Sequence, residues 1–208
     1  MSKFVILILI VLIATEAECL FEDYQVEWES AGYENIPDDN DVEEIINVID
    51  HGANGSDYVS DLSAFTSAIN AATDNLITKI IIPSGTYMLE DGLNLSNMEN
   101  LFFVGSGSDV TLLAFSIDNE DINCITVNYG LNIGFEDLDI WRNHYPDDHN
   151  PSGHSIEFRN SSYCWVIGVE ISSSAAYGIN ISESHNIEIS GCYIHHSQYF
   201  FGGVKVME

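Results

Sequence analysis

The hydrophobic positions of this chain fall into short alternations, pairs of apolar residues spaced two apart, that recur down its length. Residues 177–197, YGINISESHNIEISGCYIHHS, hold three of them: Ile179/Ile181, Ile187/Ile189 and Cys192/Ile194. Each reads as a half-buried strand of period two, and each is too short to be stable by itself. Such strands must stack on copies of themselves, and the copies are present. Leu101/Phe103, Ile133/Phe135, Trp165/Ile167 and Ile187/Ile189 form one series, at separations of 32, 32 and 22 residues. Ile125/Val127, Ile156/Phe158, Ile179/Ile181 and Val204/Val206 form a second. Leu138/Ile140, Val169/Ile171 and Cys192/Ile194 form a third. Three strands in a repeat whose bare length is 22 residues predict a parallel β-helix, the longer coils carrying insertions. Asn100, Asn132 and Asn186 each stand just before a member of the first series, with Cys164 at the missing step. Asparagine tolerates the left-handed backbone of a tight turn and can bond to stacked copies of itself, so a ladder is expected there.

The residues ahead of the coils follow a different pattern. Ile45 to Ile49 reads as a strand, HGANGSD as a turn, and Ser60 as the N-cap of a helix from about Asp61 to Ala72. Leu62, Phe65, Ala68 and Ile69 share one helical face, which must cover something apolar. The strand KIIIP and the turn SGTYML follow. The run IINVIDHGANGSDYVSDLSAFTSAINAA followed by IIIPSGTYML resembles the N-terminal segment of the pectate-lyase-like superfamily. That family opens with a Val-x-Asp-Phe-Gly-Ala strand, a Gly-Asp turn, an Asp-x-x-Ala-Phe helix and a Val-Pro-x-Gly-Thr-Tyr strand; here His51 replaces the usual Phe. The resemblance implies an all-β fold, a right-handed single-stranded parallel β-helix with an N-terminal capping α-helix, over residues 45–208. It also implies that the asparagine ladder lies between the second and third strands. The stack of Ile140, Ile171 and Ile194 is then the first strand, which lines the family's substrate groove. The same opening is shared by lyases, hydrolases and viral tailspikes, so the resemblance speaks to fold more than to chemistry.

Composition narrows the partners. At 46% apolar the chain can fill a core, and 33 acidic against 5 basic residues give a formal charge of −28. That balance excludes nucleic acid and anionic membranes as partners, because few cations are present to displace counterions from phosphates. An anionic substrate would need a bound cation to mediate it. Residues 1–19 read as an export signal, with Lys3 ahead of an apolar run and a small-residue cleavage site, so a secreted protein is expected. The run is too short to span a bilayer. Residues 20–44, ten of them acidic, read as a flexible lead-in. Cleavage leaves Cys124, Cys164 and Cys192, which predict no disulfide framework, with a Cys124–Cys164 bridge as the alternative. The final GGVKVME stops partway through a coil without a cap, which reads as truncation; an open end would expose strand edges and invite self-association.

Candidate chemistry gathers on the groove strand. Its outward rows read Asp139, Glu170, Tyr193 and then Trp141, Ser172, His195, with Arg142, Ser173 and His196 just beyond. The insertion NHYPDDHNPSG hangs from the same edge and adds His144, Asp147, Asp148 and His149, with His154 opening the next strand. An aromatic ring, carboxylates and imidazoles together suit a polysaccharide. A lyase or C5-epimerase on a uronate sugar must neutralise the substrate carboxylate and move the proton α to it. Ca²⁺ on Asp139, Glu170, Asp147 and Asp148 would do the first, and His195, Tyr193 or Arg142 the second. Trp141, His196, His154 and His144 would bind the sugar. A glycoside hydrolase built on Asp139 and Glu170, or a non-catalytic adhesive module of tailspike type, are the alternatives. The polygalacturonase pattern is absent: Ala175-Ala176-Tyr177-Gly178 and Ser197-Gln198-Tyr199 stand where those enzymes carry Asn-Thr-Asp-Gly and Gly-Asp-Asp. A second cluster on another face, Glu157, Arg159 and Lys205 with Asn180 between coils, reads as surface ion pairing.

Overall fold

The computed structural model describes residues 33, 35–142, 151–197 and 202–207. Among the described residues the chain winds as a right-handed parallel β-helix of three sheets, with one short α-helix near their start. The ladder sheet runs in the order β1 (Glu44–Asn47), β2 (Thr78–Ile81), β5 (Glu99–Val104), β8 (Leu131–Glu136), β11 (Ser162–Ile167) and β14 (His185–Ser190). The middle sheet holds β4 (Leu93–Asn94), β7 (Ile125–Asn128), β10 (Ile156–Arg159), β13 (Ile179–Ser182) and β16 (Val204–Met207). The groove sheet holds β3 (Gly85–Leu89), β6 (Thr111–Phe115), β9 (Asp139–Arg142), β12 (Glu170–Ser172) and β15 (Tyr193–His195). Each full coil visits groove, middle and ladder sheet in turn, so like residues stack at the spacing between paired strands, about 4.8 Å. The inward positions make one core running along the axis, in which Phe103 stacks on Phe135 with ring centroids 5.4 Å apart.

Helix α1 (Leu62–Ala71) closes the first end of that core. It buries Ala64, Phe65, Ala68 and Ile69, and Phe65 meets Tyr87 edge-on at 5.6 Å. The N-cap position is Asp61 rather than Ser60, and its carboxylate makes no cap bond. It accepts the Asn54 N–H at 2.7 Å instead, tying the helix start to the preceding turn. Strand β1 begins at Glu44 and gives way to a 3₁₀ turn, Val48–His51, before Ile49 can extend it. Contacts reach back into the 20–44 stretch: Lys79 pairs with Asp39 at 2.7 Å, and the Tyr33 hydroxyl donates to Asn132 Oδ1 at 3.1 Å.

The second and third hydrophobic series pair as read, Ile125 with Ile156, Ile179 and Val204, and Ile140 with Ile171 and Ile194. The first series is off by one residue at its third step. Cys164 faces Ile187 and Val166 faces Phe135 and Ile189, so Cys164 and Val166 point inward while Trp165 and Ile167 point outward. Tyr163 therefore takes the place in the asparagine ladder that Cys164 was expected to mark. Its φ of 57° matches the 57°, 55° and 55° of Asn100, Asn132 and Asn186, and Asn132 donates to Asn100 Oδ1 at 2.8 Å. Cys124, Cys164 and Cys192 are free thiols. Burial pushes the Cys124 and Cys164 thiols up to about 12, which keeps both protonated.

Candidate functional site

The groove sheet brings six of the expected residues together, Asp139, Glu170, Tyr193, Trp141, His195 and His196. Asp139, Glu170 and Tyr193 are in register on β9, β12 and β15, and Trp141, Ser172 and His195 form the next row. His195 leans across to Glu170, with Nε2 and Glu170 Oε1 2.9 Å apart. Its Nδ1 meets Nδ1 of His196. A carboxylate only accepts, so Nε2 carries the hydrogen that bonds Glu170, and Nδ1 keeps the imidazole's lone pair. Tyr193 stacks on the His195 ring at 4.3 Å and 26°, and stays 63% exposed.

Asp139 is a half-buried member of the row, with its Oδ1 out of water. Its Oδ1 has no hydrogen-bond partner. Desolvation, with the neighbouring Glu170 charge second, pushes its carboxyl up to about 6, against a smaller lowering by His195. Two carboxylates one coil apart, one holding an unbonded oxygen out of water, form a place that gains from a proton or a cation. Trp141 is half-buried between Ala114 and Ser172 of the adjoining strands.

Two expected residues lie elsewhere. Arg142 is fully buried and cannot serve as a base in the groove. Its guanidinium donates to the carbonyls of Ile122 at 2.7 Å and Asn119 at 2.8 Å, which hold it inside the wall under the 119–122 turn. His154 is on the middle-sheet side, not at the groove. Its Nδ1 accepts the Tyr177 backbone N–H at 3.3 Å, and the His154 backbone N–H donates to Asn123 Oδ1 at 2.7 Å. Desolvation holds its imidazole down to about 4, so it is neutral at neutral pH. His144, Asp147 and Asp148 lie outside the described residues. Among the described residues no group of three or more His, Cys, Asp or Glu is arranged to hold a metal ion.

The second cluster is built differently from a surface ion pair. Glu157 is 6% exposed and Asn180 is 2% exposed, although both point out from the middle sheet. Glu157 Oε1 accepts from Arg159 at 2.6 Å and from Asn180 Nδ2 at 3.3 Å, while Oε2 accepts from Asn123 Nδ2 at 2.7 Å. Asn123 was not singled out in the sequence; its position one coil before His154, at a strand start, was the available signal.

No protein-family model and no curated protein sequence matches the chain. Solved structures are similar to it in part. ORF18 of Geobacillus virus E2 matches at TM-score 0.53 and 19% identity, over 67% of this chain and 28% of that one. The catalytic unit of a GH87 α-1,3-glucanase from Streptomyces thermodiastaticus matches at 0.46 and 18%, over 81% and 33%. The A-module of the mannuronan C-5 epimerase AlgE6 from Azotobacter vinelandii matches at 0.39 and 15%, over 76% and 57%. The chain spans about a third or less of the first two proteins and just over half of the third. At 19% identity the first likeness is one of fold alone.

Among the described residues no helix is long and apolar enough to cross a membrane.

Proposed function

We propose that the chain is a secreted, pectate-lyase-like β-helix that acts on a uronate-containing polysaccharide from its groove sheet, as a lyase or C5-epimerase. The observation that carries this reading is the row of Asp139, Glu170 and Tyr193 joined to His195. His195 has its Nε2–H held by Glu170, the pairing of a general base with an orienting carboxylate, and His196, which meets its Nδ1, would have to turn aside to free that lone pair for the substrate. It takes the proton α to the uronate carboxylate. In elimination the C4–C5 double bond forms as the C4–O bond breaks, and the exposed Tyr193 phenol gives its proton to the departing oxygen. In epimerisation the C–O bond stays, and water returns a proton to the opposite face, since Tyr193 stacks on His195 and shares its side of the sugar. Trp141 and His196 border the sugar.

Calcium belongs to the proposal as the neutraliser of the substrate carboxylate. Asp139, with its buried unbonded oxygen, and Glu170 are the described residues that would hold it. Asp147 and Asp148 would complete the oxygen set.

The test is ultraviolet absorbance from unsaturated uronate, with proton NMR for C5 inversion, on pectate and alginate with and without calcium. His195→Ala and Tyr193→Phe should each lower the rate by about 10²-fold or more. Absence of both products on every uronan would sink the reading. New reducing ends without the ultraviolet product would instead favour a hydrolase, for which the strand spacing of Asp139 and Glu170 suits the retaining geometry.

A further inference from the structure

In a chain of charge −28, where each cation goes is informative. Of the described cations, Lys79 pairs with Asp39, Arg142 is spent on two backbone carbonyls, and Arg159 reaches Glu157. Lys205 differs. Among the described residues no carboxylate lies within 4.0 Å of its ammonium, which sits over the Tyr177 ring, 4.9 Å from the centroid.

Its surroundings are those of a recognition surface. Strand register aligns Glu157, Asn180 and Lys205 on β10, β13 and β16. Asn180 has its Nδ2 on Glu157, and its Oδ1 is buried with no donor. An amide oxygen out of water without a donor costs free energy, which a ligand hydroxyl or ammonium would recover. Arg159 keeps 54% of its side chain exposed while bonded to Glu157, so part of its N–H fan stays open. His154, whose Nδ1 is occupied by the Tyr177 N–H, carries its hydrogen on Nε2 and adds a neutral donor. Lysine, an arginine fan, an imidazole N–H and an orphaned amide oxygen together suit a ligand that bears both an anion and hydroxyls.

We propose that the outward face of β10, β13 and β16 is a second saccharide subsite, in which Lys205 and Arg159 take the carboxylate of an acidic sugar residue and Asn180 accepts one of its hydroxyls. The subsite rests on the uronate reading above and adds a place where the polymer is held away from the groove. It also gives a net-negative protein a local means of holding a polyanion, since an ammonium at contact outweighs distant screened charges.

The test is a titration of the full chain with a fluorescent uronate trisaccharide, its carboxyl-reduced neutral counterpart, and sodium acetate as a free anion. Lys205→Met keeps the stem and removes the charge. It should weaken the acidic trisaccharide by about tenfold or more and leave the neutral one unchanged. The same trisaccharide should protect Lys205, but not Lys79, from amine acylation read by mass spectrometry, which decides the matter if the variant does not fold. Absent binding by the wild type, unchanged affinity in Lys205→Met, an unprotected Lys205, or displacement by equimolar acetate would each overturn the proposal. The groove reading fails separately: lysine-dependent binding without turnover removes the enzyme and keeps the subsite. Turnover with lysine-independent binding does the reverse.

Discussion

A carboxyl group that ionises less readily in the folded chain than in water lowers stability once the solution is basic enough to charge it. Asp139 is such a group, pushed up to about 6 by burial and by Glu170. The sign follows from linkage. The folded state holds the proton more tightly than the unfolded state, whose carboxyl titrates near 3.9. The cost is therefore full above about pH 6 and is relieved as the pH falls toward 4. Asp139→Asn removes the charge at nearly constant shape. In calcium-free buffer at pH 8 it should raise Tm by ~2–4 °C, what about 1 kcal/mol gives in a chain of this size after allowance for the group's remaining contact with water. The gain should shrink to nothing by pH 4, and a variant less stable than wild type at pH 8 would mean Asp139 is held by bonds it gives up. His154 acts in the other direction. Its folded value of about 4 lies below that of a free imidazole, so it contributes stability that is lost as the pH falls from 6.5 toward 4. Both residues were visible in the sequence as candidates, but only Asp139 was placed correctly. Its neighbours are one coil away on aligned strands, which alternation can deliver. His154 and Arg142 depend on where the 119–123 turn folds across them, and no local pattern contains that.

At the level of strands the sequence was legible wherever apolar and polar residues strictly alternate. The middle and groove sheets pair as their isoleucines and valines indicate. The error came at Cys164-Trp165-Val166-Ile167, four apolar residues in a row, where period two cannot say which pair is inward. The larger Trp165 was read as core, yet it is buried on the outside. It lies over Gly134, packs against Phe102 at 5.6 Å and Tyr33 at 5.9 Å, and donates its indole N–H to Glu136 at 2.6 Å. Two surfaces of one strand are buried, one by the core and one by the lead-in crossing it. Gly134 is what admits the indole, since a Cβ there would collide with the ring. Gly134→Ala should cost about 1–3 kcal/mol in urea melts, as overpacking does. It should also shift tryptophan emission to longer wavelength as the indole leaves Glu136. In a Trp165→Leu background the same substitution should cost much less, and equal cost in both backgrounds would show that the glycine is needed for its backbone instead.

Over the whole molecule the −28 charge acts on every carboxylate at once. Neighbouring coils are about 4.8 Å apart, well inside a Debye length of ~30 Å at 0.01 M salt, so the outward acidic rows repel each other along the solenoid. Added NaCl should therefore raise Tm steadily up to ~0.5 M, where the Debye length falls below the spacing of the rows. Screening is blind to the identity of the cation, and a site is not. At matched ionic strength, CaCl₂ should raise Tm further than NaCl if Asp139 and Glu170 anchor an ion, by the mass-action increment that a ligand of the folded state gives. Asp139→Asn should keep the NaCl effect and lose that increment, because it removes one of two anchoring charges and very little of the total. An equal response to the two salts in the wild type would take calcium out of the proposed chemistry. The row would then have to meet a uronate carboxylate with the proton that Asp139 holds below about pH 6, and the activity would fall as the pH rises through that value.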